Sequence, residues 1–244
     1  MNLYALQPLE ENLIEEHSSH FAKLVKTGLV KVINDVSKFP MDGLLFRGTS
    51  ELNQGSSLYF KEEHLTYQYL AQTTLPLFNH DWLVVDYESN KDQMFLTDKF
   101  VKPNNKLKTF QPVILKRGEK LSNLGLSSEE AKDLEIVLAS VKDTSNVIEV
   151  RAVVIDQSLA SCSISSHEDK SIRLHADVTK FILKAIQSYP NIKSYVLDIA
   201  ITNDIEYSIL EINPIETSGF FLKDYSRLLK TFSQGRKQEV VEEV

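Results

Sequence analysis

The densest chemistry in the sequence lies in two short apolar runs, Tyr195-Val196-Leu197-Asp198-Ile199-Ala200 and Ser208-Ile209-Leu210-Glu211-Ile212-Asn213-Pro214. Side chains alternate faces along a strand, so Glu211 and Asn213 share one face, and Leu210 and Ile212 turn to the opposite, apolar layer. Paired as a hairpin turned by Thr202-Asn203-Asp204, the runs bring Asp198 opposite Glu211. Two carboxylates and one amide oxygen make a hard, oxygen-only set. That set suits Mg²⁺, which keeps waters and phosphate oxygens in its other positions. An isolated Asp and Glu on a strand ordinarily belong to a solvated face. Here both runs are strongly apolar, which predicts a central hairpin, where unpaired carboxylates are costly.

The other candidates are mostly cations. Lys102, in Phe100-Val101-Lys102-Pro103, and Lys108, in Leu107-Lys108-Thr109-Phe110, flank the turn-forming pair Asn104-Asn105. Two ammonium groups so placed can clamp a polyphosphate as point charges. On charge alone they are ordinary exposed lysines, in a run that also holds Lys99, Lys106, Lys116 and Lys120. Glu149 and Arg151 sit at i and i+2, hence on one strand face with Val147 and Val153. They form either a cross-strand ion pair of little worth or a fixed guanidinium that steadies charge developing in phosphoryl transfer. Arg47 ends an apolar run before Gly48-Thr49 and can bind a substrate carboxylate, although an exposed arginine is the plainer account. Ser218 and Gly219 open the last expected helix, whose N-terminus can accept an anion. The histidines show no metal-binding spacing.

Positioning these residues requires alternating elements. Strands are expected at 3–6, 29–33 and 43–47, with a helix opened by Pro8 and another over 61–77 ended near Pro76. The middle predicts strands at 94–102, 110–115 and 136–141, with a helix over 128–135 capped by Ser127 or Ser128. Long strands at 147–156 and 159–165 should form an antiparallel hairpin across Gln157-Ser158. A helix over 172–188 follows, then the acidic hairpin of 195–201 and 206–213, and a last helix over 217–232. The expected organisation is an N-terminal α/β unit at 1–90, a small subdomain at 91–145, and a C-terminal subdomain with the metal site at 146–244.

Asp198 followed by Glu211-Ile212-Asn213-Pro214 resembles the metal-binding signature of the ATP-grasp superfamily. Phe100-Val101-Lys102-Pro103 is similar to that superfamily's strand whose lysine touches the nucleotide phosphates. Glu149-Val150-Arg151 is similar to the strand after its adenine hinge. The order Lys, Glu-x-Arg, Asp, Glu-x-Asn is the superfamily's order, and the match runs over 99–221. The form resembled is the compact ATP-grasp proteins of phages and bacteria, with Lys108 as the second lysine. The resemblance implies an α+β fold: an N-terminal α/β unit, then two subdomains whose antiparallel sheets grip ATP between them. It implies that Lys102, Lys108, Glu149 and Arg151 contact ATP, that backbone at Ser140 and Val141 reads adenine, and that Asp198, Glu211 and Asn213 hold Mg²⁺. Asp143 or Asn146 would reach the ribose.

The implied activity is ATP-dependent joining of a carboxylate to an amine through an acyl-phosphate, with Arg151 and Lys108 closest to the chemistry. Substrates would be small molecules or peptides, and a homodimer is allowed. The 8 glycines include no glycine-rich phosphate loop, so side-chain charge must replace part of the backbone cradle. The same lack keeps a nucleotide-binding protein without turnover as the alternative. A covalent nucleotidyl ligase is disfavoured, because no Lys-x-Asp-Gly motif is present. A net charge of −7 argues against a nucleic-acid surface, which needs clustered basic residues. No apolar run approaches the ~20 residues of a spanning helix, and 1–9 lacks a secretory pattern. With the single Cys162 unable to form an internal disulfide, a cytoplasmic location is the default expectation.

Overall fold

The computed structural model describes residues 2–6, 30–33, 43–47, 64, 66–104, 109–164, 176–202, 206–215 and 218, the first three stretches as backbone. The expected helices opened by Pro8 and over 217–232 lie outside the described residues, save Ser218. The chain forms two compact units: one of 1–60, 149–198 and 213–244, the other of 61–148 and 199–212.

The first unit holds a parallel sheet of β1 (Asn2–Leu6), β2 (Val30–Ile33) and β3 (Gly43–Arg47), ordered β2-β1-β3. It also carries most of a four-stranded sheet ordered β11-β10-β8-β9, from β8 (Ile148–Ile155), β9 (Ser158–Ile164), β10 (Tyr195–Ile201) and β11 (Tyr207–Asn213). β10 is central and buried from Tyr195 to Ala200, Asp198 included, as its apolar run predicts. The helix Ala176–Ser188 buries Val178, Ile182, Ala185 and Ile186 at helical spacing and packs on β9. β8 and β9 pair antiparallel as expected, but the two-residue turn is Asp156-Gln157, one position earlier than the sequence suggested. Both turn residues have positive φ, 47° and 59°. Two such residues make the primed turn whose twist suits a hairpin, and Asp tolerates that region better than Ser.

The second unit is built on an antiparallel sheet ordered β4-β7-β5-β6. Its strands are β4 (Leu83–Asp86), β5 (Lys99–Pro103), β6 (Val113–Leu115) and β7 (Glu135–Ser140). Tyr87, Phe95, Val101, Leu115, Leu121, Leu134, Ile136 and Leu138 form its core. β4 and the short helix Tyr87–Asn90, capped by the Asp86 carboxylate, are elements the sequence reading missed.

Four expected elements are shorter than their patterns, one being the strand expected over 110–115, of which only β6 forms. Of the helix expected over 61–77, the described residues 66–77 hold a single turn, Tyr67–Leu70, capped by Thr66. Beyond Ala71, the Thr73 hydroxyl accepts from the Leu75 N–H, a local bond that competes with helix, and Pro76 then blocks continuation. In the expected strand over 94–102, Met94 makes an isolated bridge to Lys120, and regular pairing starts at Lys99. The helix Ser128–Ala131 starts with a capping box of Ser127 and Glu130 but stops early, because Asp133 takes a positive φ of 53° and Glu135 enters β7. Among the described residues no helix is long and apolar enough to cross a membrane.

Candidate functional site

Within the first unit, the sheet gathers Glu149, Arg151, Asp198 and Asn213. Arg151 on β8 donates from Nε to Asp198 Oδ1 at 2.7 Å and from Nη2 to Asp198 Oδ2 at 2.8 Å. Asn213 on β11 donates from Nδ2 to Asp198 Oδ2 at 3.2 Å. Glu149, two residues before Arg151, lies 3.8 Å from the guanidinium. Asp198 is 1 % exposed, and a lone carboxylate at that depth would be untenable. Arg151 and Asn213 supply the compensating charge and donors. The ion pair foreseen for Arg151 is therefore present, but it is a buried one.

Within the second unit, Lys102 on β5 lies 3.6 Å from Glu211 Oε2 on β11. The lysine also stands over the ring of Tyr67, 5.0 Å from its centre. β11 up to Ile212 belongs to this unit: Ile209 bridges Leu77 in parallel, and the Ile209 N–H donates to the Pro76 carbonyl at 2.9 Å. The alternation inferred for β11 holds for Ile212, which is buried, but Ile209, of Glu211's parity, is buried as well.

A cleft of about 670 Å³ opens beyond the end of β7 in the second unit. Its walls include Phe78, His80, Lys142, Asp143, Val147 and Tyr207. Lys142 Nζ is 3.0 Å from His80 Nδ1. The foreseen hinge residues Ser140 and Val141 precede this lining. The Ser140 N–H donates to Asp81 Oδ2 at 3.1 Å. Hydrogen bonding from Ser140, its side chain foremost, together with Lys142, holds the Asp81 carboxyl below the usual aspartate range. The Ser145 N–H likewise lowers Asp143.

Arg47 is the last residue of β3. Ser218 is buried, and both its hydroxyl, at 2.6 Å, and its N–H, at 3.1 Å, donate to the Pro214 carbonyl. Lys108 and Gly219 lie outside the described residues. Sequence reasoning missed Tyr67, Asn104 and Asp81. Tyr67 carries no signal beyond an apolar position, and Asn104 read as a turn residue.

By residue type, Asp198 and Asn213 of the first unit and Glu211 of the second each offer the hard oxygen that Mg²⁺ takes, and Glu211, its side chain 35 % exposed, is open to water. Among the described residues no group of three or more His, Cys, Asp or Glu side chains gathers as a metal site.

Residues 85–231 match the model of an ATP-grasp domain family, the second family of its clade. No curated protein matches the chain. Among solved structures, the chain is similar to a D-alanine–D-alanine ligase from Bacillus anthracis complexed with ATP, at 15% identity over 94% of each chain and a TM-score of 0.58. It is similar to D-cycloserine synthetase DcsG at 12% identity, covering 96% of this chain and 99% of that one, with a TM-score of 0.59. A third likeness is to the ATP-grasp ligase PsnB complexed with minimal precursor, at 12% identity over 93% of each chain and a TM-score of 0.51. At such identities the likeness is one of fold.

Proposed function

The chain belongs to the ATP-grasp domain family and has the α+β ATP-grasp fold; from that premise we propose that it is an ATP- and magnesium-dependent ligase joining a carboxylate to an amine. The observation that carries this reading is the pairing of the motif's cations with its acids, Lys102 with Glu211 and Arg151 with Asp198. Cations suited to phosphate and carboxylates suited to a metal neutralise one another in these pairs. The same side chains can then serve a polyphosphate and its cation.

In this reading Asp198, Glu211 and Asn213 hold Mg²⁺, which when bound neutralises phosphate charge. Lys102 and Lys108 bind the phosphate chain, and Arg151, steadied by Asp198 and Glu149, stabilises charge on the transferring phosphoryl group. The backbone at Ser140 and Val141, beside the cleft of Lys142 and Asp143, receives the base and sugar. A substrate carboxylate oxygen attacks the γ-phosphorus, and the bond to the departing ADP oxygen breaks. An amine then attacks the acyl carbon, releasing phosphate and losing a proton to form the amide. No side-chain nucleophile is required; the protein supplies position and charge. Arg47, Ser218 and Gly219 are the proposed contacts for the acid. The similar structures include a D-alanine–D-alanine ligase and a ligase complexed with a minimal precursor, so amino acids and short peptides are the substrates to try.

One observation favours a second reading, a nucleotide-binding protein without turnover. Both Asp198 oxygens already accept hydrogen bonds, from Arg151 and Asn213. ADP release, measured over a panel of amino acids and short peptides once MgATP binding is established, separates the two. Amine-dependent ADP release supports the ligase. MgATP binding with no release under any pair supports the second reading. Glu211→Ala should abolish turnover while leaving the fold intact, and full activity in that variant overturns the metal assignment.

A further inference from the structure

We propose that Tyr67 is a positioning residue for Lys102, holding its ammonium toward the nucleotide phosphates while Asn104 fixes Tyr67 in place; this rests on the nucleotide-binding reading of Lys102 given above. Lysine has a flexible four-carbon stem, and ordering it costs side-chain entropy unless something holds the head group. The Lys102 ammonium lies 5.0 Å from the centre of the Tyr67 ring. An aromatic face attracts a cation without supplying a directional acceptor. The ring therefore takes up none of the ammonium's N–H donors, which are left to oxygen partners such as Glu211 Oε2, 3.6 Å away, and phosphate.

The ring is itself held rigidly. Tyr67 is 2 % exposed and lies at the start of the one-turn helix Tyr67–Leu70. Its N–H donates to Asn104 Oδ1 at 2.9 Å. Its hydroxyl accepts from Asn79 Nδ2 at 3.2 Å, and Trp82 packs against the ring at 5.6 Å. Asn104 is buried too, and it lies two residues beyond Lys102. Its Nδ2 donates to Gln68 Oε1 and to Glu135 Oε2, both at 2.9 Å, and its N–H donates to the Glu135 carbonyl at 2.9 Å. A buried amide with both side-chain donors and its acceptor used is an exacting clamp. It binds the start of the short helix to the end of β5. The ring and the lysine therefore keep one mutual geometry.

Titration calorimetry with MgATP tests the proposal on four variants of the full chain: Tyr67→Leu, Tyr67→Phe, Lys102→Met and the Tyr67→Leu/Lys102→Met double variant. Tyr67→Leu should weaken MgATP binding about fivefold, the effect of losing one partly desolvated cation–π contact. Tyr67→Phe, which keeps the ring, should stay within about twofold of the parent for the same reason. In the Lys102→Met background the Leu substitution should add nothing. An equal loss in both backgrounds, or a Phe variant as weak as the Leu variant, overturns the proposal. A second measurement does not need a variant that folds at position 67. In the parent labelled with ¹³C-methyl on its lysines, the Lys102 signal, assigned by its loss in Lys102→Met, should lie upfield under the ring current of Tyr67. A Lys102 signal at the ordinary lysine position overturns the proposal. Failure of the parent to bind MgATP overturns the nucleotide reading and this proposal together. Normal MgATP binding with a Tyr67 effect independent of Lys102 overturns the positioning role alone.

Discussion

Arg151 grips Asp198 with two parallel hydrogen bonds, from Nε at 2.7 Å and from Nη2 at 2.8 Å, and the carboxylate they reach is 1 % exposed. Desolvating both ions is costly, so the pair need not stabilise the fold relative to an apolar pair of equal volume. Breaking it by removing one partner is another matter. Arg151→Met should cost about 3–5 kcal/mol, because it strands a buried charge. Arg151→Met combined with Asp198→Leu should recover most of that loss. Urea unfolding of the two variants checks both expectations, and a single variant as stable as the parent would show that Asp198 draws its compensation from elsewhere.

Lys102 and Glu211 present the opposite balance. Their separation is 3.6 Å, and Glu211 is partly open to water. Such a pair contributes at most about 1 kcal/mol to stability. Lys102→Ala and Glu211→Gln should therefore unfold within a few degrees of the parent. Nucleotide-dependent turnover should fall on the order of a hundredfold or more, the scale on which charge stabilisation of the transition state acts. Chelation by EDTA should remove turnover and added Mg²⁺ restore it. Thermal melts beside ADP-release assays separate the two effects.

Why the paired motifs were legible while their supports were not follows from the residues themselves. Asp198 interrupts an apolar run, and Glu211-x-Asn213 obeys strand alternation, so residue type and spacing alone mark them. The strands β8 and β10 were legible for a similar reason, since their patterns are long and strongly apolar. Tyr67 and Asn104 act through contacts 37 residues apart in sequence, and no local pattern encodes them. The one-turn helix at Tyr67 reads as a helix over 61–77 because the residue pattern carries no record of the Thr66 cap that starts it or the Thr73 side-chain bond beyond its end. β4 escaped notice because its four residues are too few for a clear period, and its partner β7 lies some fifty positions away.

Asp81 makes a pH-dependent prediction. Its carboxyl titrates below the ordinary value of 3.8, chiefly through hydrogen bonding from Ser140. A folded pKa lying under the unfolded one means that the ionised form is favoured in the native state. The stabilisation is thus fully present above the unfolded pKa and disappears as pH falls through the lowered folded value. Asp81→Ala should be less stable than the parent at neutral pH, with the gap in unfolding midpoint closing below about pH 4. Asp81 is exposed, so the gap should be small and shrink further in high salt. Melting curves of both proteins across the acid range are the check, and a gap that widens on acidification would reverse the sign.

The turn between β8 and β9 sets two substitutions against each other. Asp156 and Gln157 both adopt positive φ, at 47° and 59°, a region that costs a residue with a β-carbon about 1 kcal/mol relative to glycine. Asp156 is exposed, and its backbone N–H donates to the Ser194 hydroxyl at 3.3 Å, a bond that a glycine keeps. Asp156→Gly should therefore gain about 0.5 kcal/mol, the relief being partly offset by the tolerance aspartate already has for this region. Gln157 differs, because its Nε2 donates to the carbonyls of Tyr189 and Ile192, two residues buried at 1 % and 0 % exposure. The Tyr189 carbonyl keeps the Ile192 N–H as a donor at 3.3 Å, but the Ile192 carbonyl loses its bond from Gln157, and an unsatisfied buried acceptor costs about 1–3 kcal/mol, which exceeds the conformational relief. Gln157→Gly should lose stability net, although both substitutions install the residue that the backbone prefers. Opposite shifts of the unfolding midpoint are the expected result. Equal gains at the two positions would mean that the Gln157 side chain contributes nothing to holding the turn.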